Sequence, residues 1–209
     1  MITRGEITGV ILCGGDARRM FGVEKPLQLM DGEPLVAHVR ARVSPQVAQV
    51  VISANREHDA YAVWGDPVVS DDITGAGPLA GLVRALRVVD TPYAFCCPGD
   101  APRIDPALVA RLAHCLDETS GGADICVPHD GDRAQHLFLL LRTAEQDALE
   151  QYLVAGGRAV HAWLATRRVA VCDASDIAGS FLNINTEQDL LLASRHSPAD
   201  SPHHQAEPL

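Results

Sequence analysis

The sequence predicts a three-layer α/β domain with a mainly parallel central sheet and helices on both faces. Three observations carry this expectation. Short apolar runs rich in β-branched residues recur along the chain, and each stops at Gly, Pro or polar residues. Between them lie segments whose apolar residues repeat at helical spacing, and this alternation implies crossover connections between parallel strands. The chain has 209 residues, 47% of them hydrophobic, 21% charged and 4% aromatic, which suits one substantial core. A disulfide-stapled miniature, a collagen-like repeat or a low-complexity chain would need a different composition.

Residues 7–12 read as a buried strand, with Ile7, Val10, Ile11 and Leu12 halted at Gly14 and Gly15. Residues 47–53 repeat the pattern through Val47, Val50, Val51 and Ile52, and residues 93–97 do so again before Pro98 and Gly99. In the first interval Leu35, Val36, Val39, Arg40 and Val43 fall at helical spacing, and in the second Leu79, Leu82, Val83 and Leu86 do. A helix over 106–117 is expected to open with Asp105 as N-cap and Pro106 at the first helical position. Residues 125–128 and 136–141 read as further strands, the second too short to span a bilayer. Residues 183–190 read as a strand end and a helix start, with Thr186 as N-cap and Asp189 in the acidic position of a capping box. Residues 1–193 are expected to form one domain. Residues 194–209 turn to Ser, Pro, His, Asp and Gln with little to bury, and are expected to be a disordered tail.

The formal charge of −10, from 17 Lys and Arg against 27 Asp and Glu, provides no diffuse positive field for a nucleic-acid backbone or an anionic bilayer. No nucleic-acid and no membrane partner is expected. A small phosphorylated ligand is compatible with an acidic protein, because a few local cations and backbone N–H groups suffice to bind it. The six cysteines include no Cys-x-x-Cys pair and mostly lie in apolar runs, the pattern of buried reduced thiols rather than of a metal cluster or a disulfide framework. The N-terminal residues carry an acid before the apolar run and lack the form of a secretory signal, so the cytoplasm is the expected compartment.

In open parallel sheets a ligand sits beyond the carboxyl ends of the strands. Those ends are Cys13-Gly14-Gly15, Ser53-Ala54-Asn55, Ser70-Asp71-Asp72 and Pro98-Gly99-Asp100, expected to converge on one crevice. The first strand continues into Gly14-Gly15-Asp16-Ala17-Arg18-Arg19-Met20, with Lys25 following. Glycines let a backbone approach a polyphosphate closely, while the basic side chains neutralise it. The loop is neither Gly-x-Gly-x-x-Gly nor Gly-x-x-x-x-Gly-Lys-Ser/Thr, so a Rossmann dinucleotide site and a Walker-type NTPase lose support.

Leu-x-Gly-Gly-x-x-x-Arg-Met followed by Lys resembles the signature loop of nucleotidyltransferases that activate sugars, alditol phosphates and pterins. Within that superfamily the chain most resembles the bacterial molybdenum cofactor guanylyltransferases. The matching pieces come in family order: Leu12-Cys13-Gly14-Gly15, Arg19-Met20, Lys25, Ala54-Asn55-Arg56, Asp71-Asp72, Gly77-Pro78-Leu79-Ala80-Gly81, Pro98-Gly99-Asp100-Ala101-Pro102, Gln135 with Leu137-Phe138, and Asn183-Ile184-Asn185-Thr186. They span the whole of the expected domain.

The resemblance implies a Rossmann-like nucleotidyltransferase fold with a mixed sheet, and transfer of GMP from GTP to the terminal phosphate of molybdopterin with loss of pyrophosphate. It implies Mg²⁺ as cofactor, held by Asp100, since one carboxylate together with substrate phosphates suffices for this ion. Leu12, Cys13, Gly14 and Gly15 would wrap the nucleotide, and Arg19 and Lys25 would face the triphosphate. With Asp100, Arg19 and Lys25 are the implied catalytic residues. Ser53 and Asp71 are implied nucleotide contacts, Gly77 and Gly81 bracket the implied base-reading loop, and Asn183 or Asn185 offers a second oxygen near the metal. Molybdoenzyme clients and cofactor-insertion proteins are the implied recipients of the product.

Four departures stand out. Phe21 replaces the family's usual glycine, Glu24 an aspartate, Ser53 an asparagine and His136 a proline. Two other readings stay open from sequence: a cytidylyl- or other nucleotidyltransferase acting on the molybdenum cofactor or a sugar phosphate, and a non-catalytic adaptor that only binds the cofactor.

Overall fold

Strand β1 (Ile7–Leu12) is buried along its whole length and lies at the heart of the sheet, paired in parallel with β4 (Gln49–Ser53) on one side and β6 (Tyr93–Pro98) on the other. The structure is a computed structural model and describes residues 1–14, 24–64, 66–70, 77–119 and 122–194. A short hairpin, β2 (Leu29–Met30) and β3 (Glu33–Pro34), follows β1. Its Asp31-Gly32 turn has φ of 54° and 87°, the left-handed pair that a tight two-residue hairpin requires. The other strands are β5 (Val68–Val69), β7 (Ile125–His129), β8 (Leu139–Arg142) and β9 (Val169–Asp173). Among the described residues the main sheet has seven strands in the order β5-β4-β1-β6-β8-β7-β9, and β8 alone runs against its neighbours. Only residues 130–138 connect β7 to β8, too few for the crossover that a parallel return needs.

Alternation along the strands divides the core into two layers. Ile7, Ile11, Phe95 and Cys97 face α1 (Leu35–Val43) and α4 (Leu108–Glu118). Val10, Leu12, Ala94 and Cys96 face α3 (Pro78–Leu86), α5 (Gln146–Val154) and α6 (Val160–Leu164), whose Trp163 is fully buried. A short α2 (His58–Ala62) and α7 (Glu187–Ser194) complete the helices of the described residues, none of which is long and apolar enough to cross a membrane.

Apart from the strand end read at 183–185, the expected elements are present, several with shifted ends. Helix α4 begins at Leu108 rather than Pro106, because Asp105 closes a turn of its own: its carboxylate accepts the Ala107 N–H and its carbonyl the Leu108 N–H. The Val109 amide is capped from a distance by Gln46 Oε1 at 3.0 Å. Strand β8 starts at Leu139, not 136, since the Phe138 N–H turns back onto Gln135 O. Residues 183–185 form no strand. The Ile184 N–H is tied to Asp100 O at 2.9 Å, and the capping box then opens α7, with Thr186 Oγ1 accepting the Asp189 N–H and Asp189 Oδ2 accepting the Thr186 N–H. Ser194, assigned to the tail by composition, closes α7, and residues 195–209 lie outside the described residues.

Gly77, immediately before α3, has φ 70° and ψ −164°, a region open essentially to glycine alone. Gly77→Ala is expected to destabilise the protein by about 1–3 kcal/mol, although no atom within 4 Å crowds the added Cβ. A urea titration with unchanged slope and a lowered midpoint measures this.

Candidate active site

The carboxyl ends of β1 and β6 open into one crevice, lined by Leu12, Cys13, Gly14, Pro98 and Asp100, with Lys25 and Pro26 across from them. Pro78, Leu137, Asn183 and Asn185 complete its walls. Two residues far apart in sequence therefore meet. Lys25 Nζ lies 2.9 Å from Asp100 Oδ2, with both side chains mostly buried, and it also donates to Asn185 Oδ1. Asp100 follows β6 directly, whereas Lys25 starts a 3-10 turn with Pro26 buried behind it. Glu24 precedes that turn, and its Oε2 accepts the hydroxyl of fully buried Tyr61 at 3.1 Å. Burial, with Cys13 and Glu24 nearby, pushes the Tyr61 phenol up, so it remains a donor. The longer side chain at position 24 thus anchors the segment that carries Lys25. Tyr61→Phe is expected to cost about 1 kcal/mol in stability, read from thermal melting, by leaving the carboxylate without that donor.

The β1 loop is locked from below. Cys13 N–H and Gly14 N–H both donate to Ser53 O, at 2.7 and 3.0 Å, and Leu12 O accepts the Gly99 N–H. These groups are committed within the fold, so what Leu12, Cys13 and Gly14 offer the crevice is close backbone approach rather than those donors. Ser53 is buried beneath the crevice rather than lining it. Gly81 sits over it: a Cβ there would stand 2.5 Å from Ser53 Oγ and 3.4 Å from Leu12 Cδ2, so glycine sets how closely α3 approaches the strand ends. Gly81 therefore acts through packing, and the 77–81 segment is a helix start whose Pro78 reaches the crevice. Asn55, two residues beyond Ser53, stands against Gly14.

Of Gln135 to Phe138, only Leu137 faces the crevice. Gln135 bonds Asp130 Oδ2, His136 lies 6.5 Å from the His161 ring, and Phe138 packs edge-on to Phe181 in the core. Burial pushes the Cys13 thiol up, and Asp100 and Glu24 add to this, so it stays protonated and is no nucleophile. Gly15, Arg19, Phe21 and Asp71 lie outside the described residues.

Asn183 was foreseen only as an alternative to Asn185. Its Oδ1 is buried without a hydrogen-bond partner beside the crevice, while Asn185 is occupied by Lys25. A buried acceptor left over next to a carboxylate suits a hard cation. No group of three or more His, Cys, Asp or Glu among the described residues is placed to hold a metal. One carboxylate and one amide oxygen instead fit Mg²⁺, which takes its remaining ligands from substrate phosphates and water.

A family model for the MobA-like NTP transferase domain matches residues 9–171. The chain belongs to the MobA-like NTP transferase family. A relative named molybdenum cofactor guanylyltransferase, from Cupriavidus necator, is 41% identical over 196 residues, covering 91% of this chain and 97% of the relative. One of the same name from Ralstonia nicotianae is 42% identical over 200 residues, with 91% and 97% covered. Among solved structures, the molybdopterin-guanine dinucleotide biosynthesis protein A of Archaeoglobus fulgidus superposes with a TM-score of 0.74 at 25% identity, covering 90% of this chain and 97% of that one. The mostly parallel sheet and the crevice at its carboxyl edge are thus the frame of a MobA-like NTP transferase.

Proposed function

We propose that the protein transfers GMP from GTP to the terminal phosphate of molybdopterin, releasing pyrophosphate and forming a guanine dinucleotide cofactor. The observation that carries this reading is the Lys25 ammonium, poised between Asp100 and Asn185 where β1 and β6 end. The reaction needs an oxygen of the acceptor phosphate aligned with the α-phosphorus and opposite the leaving pyrophosphate. The protein's work is placement and neutralisation of charge. Lys25 moves from Asp100 and Asn185 onto phosphate oxygens, a task suited to a point charge on a flexible stem. Asp100, with Asn183 beside it, would hold Mg²⁺. Bound there, the ion supplies Lewis-acid stabilisation of the charge on the phosphates. Arg19 and Gly15 join the triphosphate grip and Asp71 the nucleotide contacts by their positions in the motifs, and the turn led by Gly77 and Pro78 meets the base. The free, mostly buried cysteines suit a reducing compartment, and we place the reaction in the cytoplasm. The product would pass to molybdoenzymes or to the proteins that insert the cofactor.

The test is pyrophosphate release by purified protein with Mg²⁺, molybdopterin and each NTP in turn. GTP is expected to give the dominant rate. A faster rate with CTP would make the protein a cytidylyltransferase, and nucleotide binding with no pyrophosphate from any NTP would make it an adaptor.

A further inference from the structure

A second chemically distinctive place lies away from the crevice, between α4 and the β7–β9 pair. The parallel register sets Cys126 opposite Ala170 and Pro128 opposite Cys172, so the two cysteines are diagonal neighbours on one sheet face. Both belong to the layer beneath α4. Cys115 of α4 packs on that layer, and Cys172 Sγ lies 3.9 Å from Arg111 O, the carbonyl one turn before Cys115. Cys115 and Cys172 line one surface pocket with Arg111, His114 and Glu118, whereas Cys126 is wholly enclosed below them. None of these residues lines the nucleotide crevice.

We propose that Cys172 and Cys115 form a peroxide-oxidisable dithiol, a modification site separate from nucleotidyl transfer.

The three thiols differ in their surroundings. Cys172 Sγ donates towards two carbonyls, Asp173 O at 3.6 Å and Arg111 O at 3.9 Å, and the Cys126 and Cys115 thiols lie close to it. Cys172 is held below the ordinary thiol value, chiefly by the Cys126 thiol, against the opposing effect of burial, with Cys115 and the Arg111 guanidinium helping. Cys126 is pushed up, by its closeness to Cys172 and by burial, and Cys115 is pushed up mainly by burial. Cys172 is therefore the first of the three to become a thiolate, and it borders solvent. Cys96 and Cys97 are enclosed, and their thiols are pushed up by burial.

The chemistry balances with a hydroperoxide as oxidant. The Cys172 thiolate attacks the outer peroxide oxygen, the O–O bond breaks, and the alkoxide or hydroxide that leaves takes up a proton, giving Cys172 sulfenic acid. Cys115 sulfur then attacks Cys172 sulfur, the S–S bond forms, and hydroxide leaves with the Cys115 proton as water. Two thiols lose two electrons, and the peroxide becomes an alcohol or water, with one further water released.

Full-length wild-type protein treated with one equivalent of hydrogen peroxide, then alkylated and mapped by mass spectrometry, tests this. A disulfide-linked pair of peptides carrying Cys115 and Cys172 is expected, with the other four cysteines alkylated. In Cys115→Ser, the sulfenic acid should persist on Cys172 and be trapped by dimedone, about tenfold or more above any other site. A wild-type disulfide that includes Cys126, first oxidation at another cysteine, or no oxidation under these conditions would each overturn the proposal. Because wild type alone decides the linkage, a misfolded variant does not rescue it.

Discussion

Asp100→Asn is expected to lower GMP transfer by about a hundredfold or more while leaving the fold intact. The amide is nearly the same size, and the backbone bond from Ile184 N–H to Asp100 O, which fastens the 183–185 segment to β6, does not involve the side chain. What disappears is the negative charge that Lys25 Nζ meets at 2.9 Å and that Mg²⁺ would require. An amide oxygen remains as a weaker ligand, so raising Mg²⁺ should recover part of the rate. The measurements are single-turnover pyrophosphate release across a magnesium titration and a thermal melt. Wild-type turnover in this variant would remove Asp100 from the mechanism, and a large loss of melting temperature would make its role architectural.

The sequence made the middle of the sheet legible because β1 and β6 are buried on both faces and so read as unbroken apolar runs. Strand β9 was not foreseen. It is an edge strand whose Val171 is 58% exposed, and its alternation of buried and exposed residues over five positions is a short signal. The same limit hid α6, which spans only Val160–Leu164 and gains its place by burying Trp163. In the site, Lys25 and Asp100 were legible as chemistry-bearing residues after a glycine turn and a strand end. That both belong to one site was legible only through family resemblance, and the ion pair between them was not legible at all, since 75 positions of chain separate the two. Residue type likewise marked Cys13, Gly14 and Ser53 but not their division of labour. That division depends on the stagger between β1 and β4, which sets Leu12 beside Ser53 and so brings the next two amides onto one carbonyl. The leftover Asn183 oxygen is similarly a product of long-range packing.

Lys25→Met is the sharper test of the site, because it should separate two properties that Asp100→Asn changes together. Methionine fills similar space without the ammonium, and Pro26 and the bond between Glu24 and Tyr61 still fix the backbone on either side. Loss of the cation is expected to reduce kcat/KM for GTP by about a hundredfold, since a charge-assisted contact to the phosphates is gone. The affinity of the free protein for Mg²⁺ should instead rise, because Lys25 no longer competes for Asp100 Oδ2. Calorimetry with Mg²⁺ alone reads the second effect, and pyrophosphate release at varied GTP reads the first. Opposed changes identify Lys25 as a phosphate ligand that rests on Asp100 between turnovers. If magnesium affinity and GTP turnover fall in parallel, the lysine serves to hold the carboxylate in place, and the grip on the triphosphate must come from another cation.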